Sequence, residues 1–210
     1  MADLLPLFLN LTDRSAVLVG AGRVAAGKLR QLLAAGARVR IVAPEIGDEI
    51  AALARSPERL ALQLIRRGFV PEDLDGAWLV VAAAIPAVNR QVAEAAEARR
   101  VFVNAVDDPP NASAYLSGVI RRDGVTLAIS TSGDAPALTA LLREGLDALL
   151  PRDLDAWMTR ARAERVVWRR DGVPMDDRKP RLLRALNDLY NATASDPNVP
   201  WLNAPEDSWL

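Results

Sequence analysis

The sequence contains no cysteine and no histidine, and these two absences exclude many kinds of functional site. Without cysteine the chain can form no disulfide bond, no thiolate nucleophile and no Cys₄ zinc site. Without histidine it can build no Ser-His-Asp triad, no histidine-ligated haem and no histidine-based zinc site. Acid–base chemistry must therefore rest on Asp, Glu, Lys, Tyr or a cofactor.

Lysine is also scarce, because Lys28 and Lys179 are the only two among 26 basic residues. Arginine stays protonated in proteins, so it binds anions well but is a poor proton shuttle. The 27 acidic residues balance the basic ones and leave a formal net charge of −1. Such a balance argues against electrostatic coating of nucleic acid, and we expect no nucleic-acid partner.

Long hydrophobic runs are missing as well. The apolar run Leu79–Pro86 is far too short to cross a bilayer. The first ten residues include Asp3 and no basic residue, unlike a signal peptide. We therefore expect a cytoplasmic protein with no membrane partner. The 210 residues are 50% apolar and 25% charged, which is typical of a globular protein with one domain or two small ones.

Short apolar runs alternate with helical patterns over the first half of the chain. The predicted strands are Ser15–Gly20, Ala37–Val42, Leu60–Ile65, Leu79–Ala84 and Val101–Val106. The predicted helices between them are Val24–Gly36, Ile46–Leu53 and Val88–Arg99. The alternation indicates an α/β fold with a Rossmann-like parallel sheet.

A different pattern follows this region. Two strand-like runs, Tyr115–Arg121 and Val125–Ser130, flank Asp123-Gly124, which is a strong tight-turn signal. A leucine stripe with helical period then begins after Pro136 and ends at Pro151. These patterns predict a small β-β-α unit.

The last sixty residues carry helical patterns. We predict two helices joined by Asp171–Lys179, and an irregular tail from Ser195. The chain is thus predicted to have three parts: a Rossmann-like dinucleotide-binding domain at 1–112, a β-β-α unit at 113–150 and a helical domain at 151–210.

A glycine-rich loop stands between the first predicted strand and helix, and it reads G-x-G-x-x-A from Gly20 to Ala25. The first glycine permits a tight turn, the second lets the backbone approach a pyrophosphate, and the small third residue lets helix and strand pack closely. The helix N-terminus adds N–H groups for the phosphates. The alternative is a turn without a ligand. We predict dinucleotide contacts at Gly20, Gly22, Arg23, Val24 and Ala25.

The choice between NAD and NADP depends on the end of the second strand, where a ribose-binding acid is expected about 20 residues after the loop. Pro44 stands near this position, and Glu45 is the nearest acid. No basic pair is present there to hold a 2′-phosphate. The sequence therefore favours NAD, with Pro44 and Glu45 as further contacts.

Two polar segments follow predicted strands. Asp107 and Asp108 come directly after the fifth strand, at the sheet edge where open α/β folds bind ligands. They could serve in chemistry or cap a turn. Hydroxyl groups precede Pro136 in the second segment, which could bind an anion or cap a helix. The second segment consists of Ser130, Thr131, Ser132 and Gly133.

Several motifs occur in an order that resembles a known family. They are Leu5–Phe8 (LPLF), the glycine loop followed by Lys28, Val39–Pro44 (VRIVAP), Asn104–Asp107 (NAVD) and the strand–loop–helix segment Ala128–Glu144. Together they resemble the N-terminal module of siroheme synthase, the precorrin-2 dehydrogenase / sirohydrochlorin ferrochelatase family. The resemblance runs from about residue 4 to residue 151.

The resemblance implies an intertwined homodimer with a Rossmann domain, a dimerisation unit and a helical C-terminal domain. It implies NAD as the cofactor and precorrin-2 as the tetrapyrrole substrate, which is oxidised to sirohydrochlorin. Some members also insert Fe²⁺ into the product, and the sequence leaves this activity open. Asp107 matches the candidate acid–base residue, while Ala84 and Asn104 fall beside the cofactor. The Ser130–Gly133 loop would bind the substrate, and no resident metal is expected.

This chain departs from the family pattern in two places. Ala83–Pro86 replaces a polar pair that usually follows the fourth strand, and the segment is one residue shorter. Thr131 stands where some members have serine. The first departure keeps open a non-enzymatic NAD-sensing Rossmann dimer or a diverged paralogue. A reductase of another small substrate is a third interpretation.

Overall fold

The structure is a computed structural model that describes residues 4–116 and 118–193. Five strands form one parallel sheet in the order β3-β2-β1-β4-β5. Their bounds are β1 Ser15–Val19, β2 Arg38–Val42, β3 Leu62–Ile65, β4 Leu79–Ala82 and β5 Phe102–Ala105. The sheet and its helices confirm the predicted Rossmann-like α/β class.

Helices cover both faces of this sheet, which explains why its central strands β1 and β4 are almost entirely apolar and buried. The helices are α1 Arg23–Ala34, α2 Asp48–Leu53 and α3 Pro86–Arg99. One face buries Leu18, Ile41 and Val81 together with Leu29 of α1. The other face packs Val80 and Val103 against α3. Several predicted strands extend beyond the residues that pair in the sheet, since the pattern of apolar residues continues past the hydrogen-bonded backbone.

The strand order reverses between β1 and β4. Chain segments leave the carboxyl ends of these two strands in opposite directions and open a crevice there, which is where ligands bind in doubly wound sheets. The glycine loop follows β1, and Ala83–Ile85 follow β4. The fold thus puts the two loops that matter for a dinucleotide next to each other.

A two-stranded antiparallel sheet follows, formed by β6 Gly118–Arg122 and β7 Val125–Ile129. Asp123 and Gly124 have φ angles of 50° and 84°, which confirms the predicted tight turn. The prediction that the first strand begins at Tyr115 is wrong. Ala114 instead donates from its backbone to the Val103 carbonyl oxygen at 2.8 Å, so this segment runs beside β5.

Three helices complete the described chain: α4 Pro136–Leu149, α5 Leu154–Arg170 and α6 Met175–Thr193. The predicted joint at 171–179 is too long. Helix α6 begins at Met175, because acidic residues in its first turn favour a helix N-terminus and Arg178 donates to the Val173 carbonyl. The predicted irregular tail from Ser195 lies outside the described residues.

The chain divides into two compact units. One contains the described chain up to Gly118 together with Ile129–Ala140, and the other contains Val119–Ala128 and the described chain from Leu141. The hairpin and α4 therefore contribute to both units. The three-part division at residues 112 and 150 remains a prediction.

Candidate active site

The glycine loop joins β1 to α1, as the sequence pattern predicts. Gly20 has a φ of +101°, and a Cβ atom built on it would lie 2.3 Å from the carbonyl oxygen of Ala83. No side chain fits so close to backbone. Gly20 therefore allows the loops after β1 and β4 to approach each other, which forms the floor of the crevice.

Gly22 is different, because nothing in the protein itself demands glycine there. Its φ is −81°, and no atom lies within 4 Å of a Cβ built on it. It is the N-cap of α1, and no side chain caps the first turn. Open space beside free backbone amides fits the pyrophosphate of a dinucleotide. Arg23 and Val24 are exposed at this end of the helix, and Ala25 is fully buried.

The loop after β2 contacts the glycine loop. Pro44 and Glu45 are exposed on it. The Gly47 amide donates to the Ala21 carbonyl oxygen at 3.0 Å, and a Cβ on Gly47 would lie 2.7 Å from that oxygen. Sequence reasoning missed Gly47, although a glycine just before a helix and near a predicted cofactor loop was a usable signal.

A cavity of about 410 Å³ opens beyond the ends of β4 and β5. It contains three of the predicted site residues, namely Val24, Ala84 and Asp107. Asp108 and Pro86, which the sequence analysis also named, line the cavity together with three residues that sequence reasoning missed, namely Asn89, Arg90 and Asn111.

Asn89 is 3% exposed, and its Oδ1 accepts a hydrogen bond from the Ala84 amide at 3.1 Å. It lies on α3 and supports the loop in which the family's polar pair is absent. The only sequence signal for Asn89 was that it is a polar residue on an otherwise apolar helix face.

The two aspartates after β5 have different environments. Asp108 accepts two hydrogen bonds from the Asn111 side chain, at 3.0 and 2.9 Å, and so serves the turn. Asp107 is exposed at the cavity and has no hydrogen bond or ion pair with another described residue. Its φ of 54° is unusual for a residue with a side chain. The turn-capping interpretation thus applies to Asp108, and Asp107 keeps a free carboxylate.

Asn104 lies behind this corner and outside the cavity lining. It is 6% exposed, and its Nδ2 donates to the Ala114 carbonyl oxygen at 3.0 Å. Its Oδ1 is buried without a hydrogen-bond partner in the described chain. Its contacts are with the protein backbone, and cofactor contact by Asn104 remains a prediction.

Lys28 reaches the same region from α1. Its Nζ donates to the Leu116 carbonyl oxygen at 3.4 Å. Burial lowers the pKa of the Lys28 ammonium group, and the negative charge of Asp107 acts in the opposite direction. Sequence reasoning could not separate Lys28 from solvated surface residues, because only the packing of α1 reveals its burial.

The Ser130–Gly133 loop lies against the turn that follows Asp107. A Cβ on Gly133 would lie 3.2 Å from Pro109 Cγ and 3.7 Å from Tyr115 Cε1. Thr131 Oγ1 accepts from the Ala135 amide at 3.3 Å, so this hydroxyl caps α4. The loop is close to the cavity but is not part of its lining.

Residues 4–116 and 118–193 contain no cluster of three or more potential metal-binding Asp and Glu side chains. No helix in these ranges is both long enough and apolar enough to span a membrane.

Known proteins share this architecture. Residues 7–118 match the family model described as putative NAD(P)-binding. Siroheme synthase 3 of Aeromonas hydrophila is 44% identical over 155 residues, which is 73% of this chain and 32% of that protein. Siroheme synthase of Zymomonas mobilis is 40% identical over 153 residues, 72% of this chain and 32% of that protein. The chain thus spans about a third of the length of these curated relatives.

A solved structure matches over nearly the whole chain. It is described as SirC, precorrin-2 dehydrogenase, with a TM-score of 0.69 and 25% identity over 90% of this chain and 92% of that one. The sheet, the glycine loop and the NAVD corner described above lie within residues 7–118, the region that the family model matches. The chain therefore belongs to the putative NAD(P)-binding family, and the resemblance of its motifs to the precorrin-2 dehydrogenase family is confirmed.

Proposed function

We propose that this chain oxidises precorrin-2 to sirohydrochlorin in siroheme biosynthesis, with NAD⁺ as the acceptor, in the cytoplasm. The observation that carries the proposal is the unpaired Asp107 carboxylate at a cavity between the glycine loop and the ends of β4 and β5. The chain is similar to a precorrin-2 dehydrogenase along almost its entire length, and this similarity supports the same reaction.

The glycine loop holds the cofactor in this proposal. The open space at Gly22 and the uncapped amides of α1 receive the pyrophosphate. Glu45, on the loop after β2, favours a free ribose over a 2′-phosphate, so NAD binds in preference to NADP. When bound, the cofactor supplies the hydride acceptor.

Asp107 handles the proton. Oxidation of the tetrapyrrole removes two hydrogens, one as hydride and one as a proton, and the proton needs a base. The chain has no histidine or cysteine for this task. Asp107 presents an ionisable oxygen to the cavity without a competing protein partner, whereas Asp108 is engaged by Asn111.

The Ser130–Gly133 loop positions the substrate. Precorrin-2 carries several carboxylates, and this loop leads into the N-terminus of α4, beside the turn after Asp107. Backbone amides at a helix start attract anions. Insertion of Fe²⁺ into the product would use the same carboxylate to accept pyrrole N–H protons, and Fe²⁺ would then be a substrate.

The working form is a homodimer. No residue of α4 is buried within the chain, and its leucine stripe is exposed. The exposed members are Leu138, Leu141, Leu142, Leu146 and Leu149. An apolar stripe on a helix is stable in water when another surface covers it, and a second copy of α4 offers a matching one.

The test is an anaerobic assay with enzymatically generated precorrin-2, with and without NAD⁺, followed by visible spectroscopy. Wild-type protein should produce sirohydrochlorin only with NAD⁺. Asp107→Asn should lose at least about 100-fold in rate while it still binds NAD⁺. Asp108→Asn is the matched control and should stay within a few-fold of wild type.

The same assay separates the other interpretations. Addition of Fe²⁺ or Co²⁺ to the product should accelerate chelation beyond the uncatalysed rate if the chain is also a ferrochelatase. NAD⁺ binding without any spectral change would refute the dehydrogenase and favour the sensor or the diverged paralogue. Normal turnover by Asp107→Asn would remove Asp107 from the mechanism.

A further inference from the structure

We propose that Asn89 binds the nicotinamide-riboside half of the cofactor, with its side-chain Nδ2 group as the hydrogen-bond donor. The inference deepens the proposed function and rests on it, because the proposed reaction brings NAD to the crevice beside Asp107. It assigns a cofactor contact to a residue that no motif of the sequence indicated.

The orientation of the Asn89 side chain follows from its hydrogen bond to the protein. Asn89 lies on α3, and its Oδ1 accepts from the Ala84 amide at 3.1 Å. A backbone N–H only donates, so it faces the oxygen of the side-chain amide and not the nitrogen. Oδ1 is thus engaged by the protein, and Nδ2 with its two N–H donors forms the other branch of the amide.

The Nδ2 group of Asn89 has unused donors. Within residues 4–116 and 118–193 it has no hydrogen-bond acceptor. Two side-chain atoms in these ranges are buried away from solvent without a partner, and Nδ2 of Asn89 is not one of them. Asn89 is only 3% exposed and lines the cavity of about 410 Å³, so its contact with solvent is through that cavity. A largely buried amide with unused donors at a cavity suits an oxygen atom of a ligand.

The position of Asn89 relative to the glycine loop indicates which ligand it meets. A Cβ built on Gly20 would lie 3.3 Å from the Ala84 nitrogen, so the amide that Asn89 binds lies against the glycine loop. Val24, in the first turn of α1, lines the same cavity as Asn89. A dinucleotide whose pyrophosphate is bound by the glycine loop therefore reaches Asn89.

The strand order indicates which half of the dinucleotide lies at the cavity. The ribose of the adenosine half is expected at the end of β2. The cavity opens on the other side of β1, beyond the ends of β4 and β5. The half at the cavity is then nicotinamide riboside, whose carboxamide and ribose oxygens accept hydrogen bonds. Asp107 lines the same cavity, so the hydride acceptor and the proposed base share it.

The other polar side chains of the cavity are less suited to this contact. Asn111 donates from its Nδ2 to the Asp108 carboxylate, and an ionised aspartate only accepts hydrogen bonds. Arg90 is a charged donor, and the oxidised nicotinamide ring carries a positive charge that repels it. The segment Ala83–Pro86 has no polar side chain. Among the described residues of the lining, Asn89 is the neutral donor that the protein itself does not use.

Isothermal titration calorimetry with NADH and ADP tests the contact without any activity measurement. Both ligands contain the diphosphate that the glycine loop binds, but ADP lacks the nicotinamide riboside. Asn89→Asp keeps an oxygen for the Ala84 amide and removes the Nδ2 donors, so it separates support of the loop from contact with the ligand. Titration at pH 8, about four units above the ordinary pKa of a carboxyl group, keeps the new side chain ionised. NADH is used because its uncharged ring is not attracted to the added carboxylate.

The ratio of NADH affinity to ADP affinity is the quantity to compare, because an effect of charge on the shared diphosphate cancels in it. In Asn89→Asp the ratio should fall about tenfold, because an acceptor oxygen of the ligand then faces a carboxylate. In Asn89→Leu it should fall about fivefold, and both affinities should fall further because the Ala84 amide loses its acceptor. Gln91→Glu is the matched control, since it makes the same amide-to-carboxylate change at an exposed position of α3. Its ratio should stay within twofold of wild type.

ADP-ribose, which has the second ribose but no nicotinamide, identifies the oxygen that Asn89 binds. A loss of affinity for NADH alone assigns the carboxamide, whereas a loss for both ligands assigns the ribose, and either result upholds the proposal. An Asn89→Asp ratio equal to that of wild type would overturn it. An equal loss of NADH and ADP affinity in both Asn89 variants would also overturn it, since a purely structural role gives that result. If Asn89→Asp does not fold, the ratio in Asn89→Leu decides.

The proposed reaction can fail independently of this contact. A lowered ratio in Asn89→Asp, together with a wild type that does not oxidise precorrin-2, would uphold the contact and refute the reaction. Oxidation by wild type with an unchanged ratio in Asn89→Asp would refute the contact alone.

Discussion

Replacement of Gly20 by alanine tests whether the close approach of two loops holds the crevice together. At this position φ is +101°, and the added Cβ would lie 2.3 Å from the Ala83 carbonyl oxygen and 2.8 Å from its carbon. Both atoms belong to backbone that follows a fully buried strand, so neither can swing away. The loop after β1, the loop after β4, or both must move.

The cost follows from three contributions. A side chain in the left-handed region costs roughly 1–2 kcal/mol. Forcing packed backbone apart costs about 1–3 kcal/mol more. Alanine also restricts the unfolded chain, which returns about 0.4–1 kcal/mol. The net loss in the free energy of unfolding is therefore about 3 kcal/mol, and cofactor affinity should fall with it because the loop is displaced.

Urea denaturation of Gly20→Ala, followed by circular dichroism, measures this loss, and Gly27→Ala is the matched control. Gly27 lies in the interior of α1, and no atom lies within 4 Å of a Cβ built on it. Alanine there should stabilise the protein by about 0.5–1 kcal/mol through helix propensity. Equal stability of the two variants, or a Gly20→Ala protein within about 0.5 kcal/mol of wild type, would refute the role assigned to Gly20.

Three further changes have clear expected results. Gly22→Asp should weaken NAD⁺ binding more than tenfold in a fluorescence titration, because its charge and size conflict with the pyrophosphate. The free energy of unfolding should be unchanged or rise by up to about 1 kcal/mol, because Asp is a good N-cap. Unchanged NAD⁺ affinity would contradict the assignment of the glycine loop to the cofactor. Burial opposes ionisation of Asp73, but other interactions outweigh it and hold the pKa of Asp73 below its ordinary value. They are the hydrogen bonds from Arg67 and the Val70 amide and the positive charges of Arg67 and Arg40. Ionised Asp73 should stabilise the folded protein by about 2 kcal/mol at pH 6, and this stabilisation should be lost as the pH falls below about 4. The free energies of unfolding of wild type and Asp73→Asn, measured by chemical denaturation, should therefore converge in acid. Parallel curves would refute this. Leu141→Asp should convert a dimer of twice the 22.7 kDa chain mass into a monomer by light scattering, and Leu183→Asp, which is similarly exposed on α6, should not; a dimeric Leu141→Asp would exclude α4 from the interface.

The order of elements was predictable because each depends on local patterns. Strands buried on both faces must be largely apolar, and the runs ending at Val19 and Ala82 meet that requirement. The Asp123-Gly124 turn was predictable because few residue pairs adopt two positive φ angles at low cost. The start of β6 was not predictable, since a hydrogen bond to the distant Val103 decides where Ala114 lies.

The two glycines of the glycine loop also show what a local sequence pattern cannot predict. The pattern predicts that both are needed, but it does not say why. Gly20 is needed because Ala83, more than sixty residues away in the chain, comes within contact distance, whereas the space at Gly22 is open. Only the fold distinguishes a glycine required by packing from one that leaves room for a ligand.

The sequence by itself determined the parallel α/β class, the glycine loop and the presence of two carboxyl groups after β5, because periodicity, turn chemistry and residue type are local properties. The tertiary structure decided which distant residues surround this corner. Asn111, three residues away, engages Asp108, but α1 brings Lys28 to the Leu116 carbonyl oxygen, 88 residues away in the chain. Partners so distant in sequence are set by packing and by the order of strands in the sheet, and no local pattern records them.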